Sequence, residues 1–297
     1  MMKLFFIFLV TSCFAVPRRN SARTENPRIT TDNETAVVDR MDKKSRIING
    51  SPVLDASSFP SYASIRRFGH NHVCGGVILD HQRILTATHC YISILTDTVI
   101  VGGIKRDGSD MQQERRIKTV WNHPDYIPGP ENDILENDIT VLELENALNF
   151  SLSSVQPIQI GSQEEFREIK NGTSDCQIIG HGYTDGRRSV VDQLQATKQI
   201  YINKKCPNYR NDSGHCFLTQ GKASDSQACQ GDSGGPLYCD VGNVKKLFGI
   251  VSFTSTKSCD NGLTGLTAPM MYTSFINGCP SLKLHLILAF LFISTLI

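Results

Sequence analysis

One heptapeptide limits the folds open to this chain: Gln230-Gly231-Asp232-Ser233-Gly234-Gly235-Pro236. A serine between an acid and two glycines marks a sharp turn that presents one hydroxyl. Glycine tolerates backbone angles other residues avoid, and it lets a carbonyl group approach closely. The amides of Gly231 and Ser233 can point at one developing oxyanion. Two further motifs precede it, Leu85-Thr86-Ala87-Thr88-His89-Cys90 and Asn137-Asp138-Ile139-Thr140-Val141-Leu142. A serine hydroxyl is a poor nucleophile until a base takes its proton, and imidazole titrates where such a base must. A carboxylate can hold the imidazole in the needed tautomer. The chain order His, Asp, Ser is one in which such a trio occurs. The fold must therefore bring His89, Asp138 and Ser233 together from three distant stretches.

Composition narrows the rest. The chain has 297 residues, 40% of them hydrophobic, and a formal net charge of +1. That length supports a full core in one domain or two fused halves. Near-neutral charge gives no reason to expect nucleic acid or an anionic membrane surface as partner. Ten cysteines point to an oxidising compartment. No cysteine or histidine spacing suggests zinc, and no cofactor or metal is expected.

From Ile47 onward the pattern is short strands between turn residues. Val73 to Leu79 and Arg83 to Ala87 read as a hairpin around Asp80-His81. Thr98 to Val101, Arg116 to Val120, Ile139 to Leu144 and Cys176 to Gly180 read as strands. So do Gln199 to Ile202, Pro236 to Cys239 and Leu247 to Phe253. Many short strands with glycine and proline turns argue a barrel or a sandwich.

On these three ordered motifs the chain, from Ile47 to about Tyr272, resembles the chymotrypsin/trypsin family of serine endopeptidases. The resemblance implies an all-β fold of two packed six-stranded antiparallel barrels, with the crossover near 150–160 and the active site between them. It implies His89 as base, Asp138 as its orienter, Ser233 as nucleophile, and the Gly231 and Ser233 amides as oxyanion hole. It also implies the pairs Cys74–Cys90, Cys176–Cys239, Cys206–Cys216 and Cys229–Cys259, leaving Cys279 without a partner. Ser252, in Gly249-Ile250-Val251-Ser252-Phe253, resembles the family's serine behind the triad aspartate. It marks the strand along which a peptide substrate adds. His181 stands where the family usually has a tryptophan. His70, His72, His81, His123, His215 and His285 carry no expected role.

The resemblance also organises the N-terminal quarter. Residues 1–15 read as a secretory signal, with Lys3, the apolar run Leu4 to Val10 and the small Ala15; Cys13 would leave with it. Residues 16–46 are polar and charged, composed as an activation propeptide that cannot bury enough surface to order itself. Lys43-Lys44-Ser45-Arg46 precedes Ile47-Ile48-Asn49-Gly50, an exposed cut site for a trypsin-like activating protease. The cut would free an ammonium on Ile47, which in the family pairs with the acid before the nucleophile, here Asp232. The protease domain is expected over 47–280.

The residues 281–297 form a tail apolar on every side, without the polar face of a surface helix. It reads as a lipid-anchor signal that is removed, as a short membrane anchor, or as a folded terminal helix. The product is expected to be secreted or held at the extracellular surface. Asn33, Asn49, Asn149, Asn171 and Asn211 begin glycan acceptor motifs; Asn149, Asn171 and Asn211 are the expected acceptors.

Specificity is where the chain departs from trypsin. The pocket floor lies six positions before the nucleophile, at Gln227, where trypsins carry an aspartate. A buried substrate cation would have no counter-charge there. Thr254 and Met270 are assigned to positions where trypsins have glycine, which would narrow the pocket. Cleavage after Lys or Arg is thus not expected, unless the loop bulges and Asp225 enters. Partners would be protein or peptide substrates and a protein inhibitor. The alternative is a catalytically silent homologue that uses the same barrels as a protein-binding module.

Overall fold

The structure is a computed structural model. It describes residues 50–69, 71–92, 96–128, 136–172, 174–184, 189–207, 214–222, 227–255, 259 and 262–279, and the backbone of 14–15. The activation site at Arg46–Ile47, Asp225, Asn211 and the tail 281–297 lie outside the described residues.

Two short strands sit at sheet edges, β1 (Phe14–Ala15) and β2 (Ser51–Pro52). The first barrel comprises β3 (Tyr62–Arg67), β4 (Asn71–Ile78), β5 (Arg83–Thr86), β6 (Thr98–Val101), β7 (Gln113–Asn122) and β8 (Thr140–Leu144). They run antiparallel in the order β7-β6-β3-β4-β5-β8, and β8 closes on β7. The second barrel comprises β9 (Cys176–Gly180), β10 (Gln195–Ile202), β11 (Cys216–Gly221), β12 (Pro236–Val241), β13 (Val244–Thr254) and β14 (Thr264–Thr267). Its order is β11-β14-β13-β12-β9-β10, closed by β10 on β11. The expected pair of six-stranded barrels is present.

The residue pattern explains the closure. In β7, Gln113, Ile117 and Val120 turn inward while Glu114, Arg116 and Lys118 face out or lie half-buried, the period of two that a half-buried strand requires. Register shifts between Ile117 and Thr119 in β7 and between Val251 and Phe253 in β13 bend the strands, as bulges do. The chain passes between barrels where Ile158 N–H donates to Ile78 (3.1 Å) and Gly161 N–H donates to Leu247 (2.9 Å). Among the described residues there are three short α-helices: α1 (His89–Ile92), α2 (Glu165–Lys170) and α3 (Thr273–Gly278). α3 buries Phe275 and Ile276 in the first barrel's core, and Arg83 Nη1 donates to the Ile276 carbonyl at 2.8 Å.

The four expected disulfides are all formed: Cys74–Cys90, Cys176–Cys239, Cys206–Cys216 and Cys229–Cys259. Cys279 differs from expectation. It is disulfide-bonded and buried, with its partner outside the described residues. The expectation came from counting pairs in a chain without residues 1–15; the full chain carries ten cysteines, an even number.

Glycines let the barrels touch at one point. A Cβ on Gly75 would stand 2.6 Å from the Gly235 Cα, and one on Gly234 would stand 2.1 Å from Thr86 Oγ1. Gly234 also has φ +73°, in the left-handed region that disfavours other residues. Gly75 lies on β4 and Thr86 ends β5, three residues before His89, so this contact sets the nucleophile loop beside the histidine.

Candidate active site

His89 opens α1 three residues beyond the end of β5, and Asp138 lies two residues before the start of β8, the strand paired with β5 through Thr86↔Thr140. The first barrel thus delivers both. Asp138 is fully buried and every contact orients it. It accepts the His89 backbone N–H on Oδ1 at 3.0 Å and His89 Nδ1–H on Oδ2 at 2.7 Å. Ser252 Oγ, from β13 of the second barrel, donates to the same Oδ2 at 2.6 Å. Thr267 Oγ1 donates to the Asp138 carbonyl at 3.1 Å.

An ionised carboxylate only accepts, so His89 carries its proton on Nδ1 and leaves Nε2 with a lone pair. Burial works against charge on His89. Attraction and hydrogen bonding to Asp138 outweigh it, and the imidazole pKa stands above its ordinary 6.5.

Ser233 is half-buried in the turn between the Cys229–Cys259 bond and β12. Its carbonyl accepts from Gly75 N–H at 2.8 Å. Gly234 N–H donates to Val251 at 2.7 Å, and Val251 N–H returns to Gly235 at 2.9 Å, which ties the turn to β13. Among the described residues, His89 Nε2 and the Ser233 hydroxyl are not hydrogen-bonded to each other. Such bonds are often long without substrate and tighten when it binds. Nor do the Gly231 and Ser233 N–H groups donate to any described acceptor, which leaves both available to an oxyanion.

Gly231 has φ +101° and is held from its carbonyl side by a residue that sequence reasoning passed over. His72 Nε2–H donates to Gly231 O at 3.0 Å, and its Nδ1 accepts from Ser64 Oγ at 2.7 Å. Burial pulls the His72 pKa down to about 3, so the ring stays neutral. A lone histidine two residues before a cysteine carries no sequence signal for this. His181 lies edge-on to both Tyr62 and His72. It is buried, with Nδ1 unpartnered among the described residues.

Asp232 is fully buried. Its oxygens accept the N–H groups of Gly182 and Cys229, each at 2.8 Å. Burial raises its pKa to about 6, against the lowering effect of the two amides. No described cation neutralises it.

Of the residues expected to line the pocket, Gln227 is 1% exposed and both its amide atoms lack a partner among the described residues. Thr254 ends β13 beside Ser252, directly opposite Thr264 on β14. Met270 is elsewhere: it sits in the turn Pro269–Tyr272 beyond β14, in the second barrel's core with Phe217, Ala228 and Leu266. The residue facing Thr254 is Thr264. The bulge at Val251/Phe253 sets that register, and counting along the sequence does not reveal it. Asn149 and Asn171 are exposed, and Asn149 Oδ1 accepts from Ser151 N–H at 2.9 Å.

Comparison with known proteins agrees with this geometry. The trypsin family model matches residues 47–276. Human granzyme M is 32% identical over 225 residues, spanning 73% of this chain and 81% of that protein. The solved structure of neuropsin, a serine protease expressed in the limbic system of mouse brain, superposes with a TM-score of 0.62 at 25% identity. It covers 77% of this chain and 97% of neuropsin. Matched by the family model over most of its length, the chain belongs to the trypsin family of serine proteases.

Proposed function

We propose that the chain is a serine endopeptidase, secreted or held at the extracellular surface, and made as a zymogen activated by cleavage after Arg46. The observation that carries this reading is the shared Asp138 oxygen, which accepts from His89 Nδ1 at 2.7 Å and Ser252 at 2.6 Å.

In the proposed reaction, Ser233 Oγ attacks the substrate carbonyl carbon while His89 Nε2 takes the hydroxyl proton. Asp138 stabilises the imidazolium that forms, and the Gly231 and Ser233 N–H groups hold the oxyanion. Collapse breaks the C–N bond, His89 returns the proton to the departing amine, and an acyl-serine remains. Water, deprotonated by His89, repeats the sequence and releases the acid.

The zymogen reading rests on Asp232, a buried carboxylate with two amide donors. Ser51 pairs with Ala196, and Ala196 pairs with Ile179. Adjacent strands lie about 4.8 Å apart, so Ser51 is roughly 10 Å from Ile179. Its neighbour Gly180 abuts Asp232: a Cβ there would lie 1.9 Å from Oδ1. Four residues reach up to about 14 Å, so an amine on Ile47 has the span to meet Asp232. A buried carboxylate gains from such a partner. Until the cut, the Gly231 amide is expected to be misplaced.

Gln227 carries no charge, so cleavage after Lys or Arg is not preferred. The expected partners are a protein or peptide substrate, an activating trypsin-like protease and a protein inhibitor. Asn149, Asn171 and Asn211 carry glycans, and the tail tethers the product to a membrane or is removed in exchange for a lipid.

The test compares wild type with Arg46→Gln and Ser233→Ala, each secreted and treated with trypsin, on a mixed peptide library. Hydrolysis by cleaved wild type alone is expected. Full activity of Arg46→Gln would end the zymogen reading. A cleaved wild type that hydrolyses nothing would leave the protein-binding module.

A further inference from the structure

Asp138 is the middle residue of a three-residue turn, closed where Ile139 N–H donates to the Asn137 carbonyl at 2.8 Å. The direction of its carboxylate therefore depends on the residue before it. Asn137 has φ +52°, in the left-handed region that residues with a Cβ seldom enter and asparagine enters more readily than most. Such a conformation persists when its surroundings over-determine it, and two side-chain hydrogen bonds do so here. The Tyr272 hydroxyl donates to Asn137 Oδ1 at 3.0 Å, and Asn137 Nδ2–H donates to the Asp125 carbonyl at 2.8 Å.

The tyrosine is itself held. Tyr272 is 3% exposed and ends the turn Pro269–Tyr272 beyond β14. The His123 and His215 rings meet its ring edge-on, with centres 5.3 and 4.9 Å away, an arrangement aromatic pairs favour. His123 N–H also donates to the Ile139 carbonyl at 3.2 Å, which ties the same histidine to the Asp138 turn. The end of the second barrel thus reaches the buried acid of the first through one amide side chain, across 135 positions of sequence.

We propose that Asn137, locked by Tyr272 and Asp125, is a positioning residue that aims the Asp138 carboxylate at His89. Asp138 offers Oδ1 to the His89 backbone N–H and Oδ2 to Nδ1–H, so it must be right in both place and rotation. Freeing Asn137 lets the turn relax and lengthens both bonds. Neither Asn137 nor Tyr272 touches the reacting atoms. The proposal rests on the reading of His89, Asp138 and Ser233 as the catalytic set.

The experiment measures kcat and KM against pH for trypsin-activated wild type, Tyr272→Phe and Asn137→Gly, each with Asp138 and in an Asp138→Asn background. A fluorophosphonate titrates active Ser233 in the same samples. Tyr272→Phe keeps the ring and removes one donor. Asn137→Gly keeps the backbone conformation accessible and removes both side-chain bonds. kcat should fall about tenfold in the first and further in the second, with KM within about twofold of wild type. The midpoint of kcat/KM against pH should move down in both, because a misaimed Asp138 pulls less on the His89 proton. Burial holds His123 and His215 low, and burial with the Asp138 charge holds Tyr126 high, so these neighbours titrate to either side of that midpoint. In the Asp138→Asn background, Tyr272→Phe should cost less than about twofold more, because the group it positions is gone.

Equal losses in both backgrounds overturn the proposal, since the effect would then not pass through Asp138. So does a lowered kcat with an unmoved midpoint, or a kcat unchanged in Tyr272→Phe. That variant decides the matter even if Asn137→Gly does not fold. A wild type that does not titrate, or an Asp138→Asn enzyme as fast as wild type, would instead overturn the reading of the catalytic set, and this proposal with it.

Discussion

His72 Nε2 donates to the carbonyl of Gly231 across the barrel interface at 3.0 Å, joining β4 of one barrel to the oxyanion turn of the other. On the proposed reading, in which the Gly231 N–H holds the oxyanion, His72 is a positioning residue. His72→Ala should lower kcat on the order of tenfold with little change in KM, because one N–H of the oxyanion hole loses its support. Leaving Gly231 O and Ser64 Oγ unpaired should cost about 1–3 kcal/mol of stability by urea denaturation. His72→Gln, which can donate and accept, should recover part of both.

The same histidine makes acid denaturation steep. Its folded pKa, lowered to about 3 from 6.5, means the unfolded chain binds the extra proton between those values. Stability is full above 6.5 and falls as pH drops toward 3, by about 1.4 kcal/mol per pH unit. His181 is shifted the same way by burial and adds to the slope. In His72→Gln the slope of unfolding free energy over this range should shrink by about one proton.

On the proposed zymogen reading, Asp232 works in the opposite direction before the cut. Its folded pKa is raised to about 6 from 3.8, so the precursor loses stability as pH rises through that window, by about 3 kcal/mol in all. An ammonium on Ile47 would favour the carboxylate and remove the loss. In a Ser233→Ala background, the Tm of the cleaved form should exceed that of the precursor above pH ~6. The gap should close again as the α-amine, normally titrating at roughly 8, loses its proton. Equal Tm values across pH 5–9 would contradict the pairing.

Much of this site is legible in the chain itself. The motifs around His89, Asp138 and Ser233 carry their own chemistry, and strands such as Thr98–Val101 and Cys176–Gly180 announce themselves by short β-branched runs between turns. Thr264 and His72 are hidden for physical reasons. The partner of Thr254 depends on a strand register set by a bulge, and the role of His72 depends on a contact 159 positions away in sequence. Among the barrel strands, β3, β11 and β14 carry no clear signal because Tyr62–Arg67, Cys216–Gly221 and Thr264–Thr267 are short or mixed in polarity. Only pairing with their neighbours in the two barrels makes them strands.

Close approach of the barrels leaves no room at Gly234. Gly234→Ala adds a Cβ 2.1 Å from Thr86 Oγ1 and 2.6 Å from the Gly75 carbonyl, at φ +73°. A loss of several kcal/mol, on the order of 3–5, is expected in denaturant titration, together with loss of hydrolysis. Gly242→Ala has open space around its Cβ; at φ +57° it should cost only about 1 kcal/mol and leave hydrolysis intact.

Asp138 should govern the pH profile as well as the rate. With Asp138 present, the His89 pKa lies above 6.5, and kcat/KM should rise with pH through that value as the imidazole becomes neutral. Asp138→Asn removes both raising influences and leaves burial, so the midpoint should move down. kcat should fall on the order of 10³–10⁴-fold.

The most direct measurement is mass spectrometry of the Arg46-cleaved protein after exposure to a fluorophosphonate. One adduct per molecule, mapped to Ser233, lost in Ser233→Ala and much slowed in Asp138→Asn and in uncleaved precursor, is the expected result. An unmodified Ser233 in cleaved protein, or equal labelling of Ser233→Ala, would contradict the nucleophile assignment on which the whole account stands.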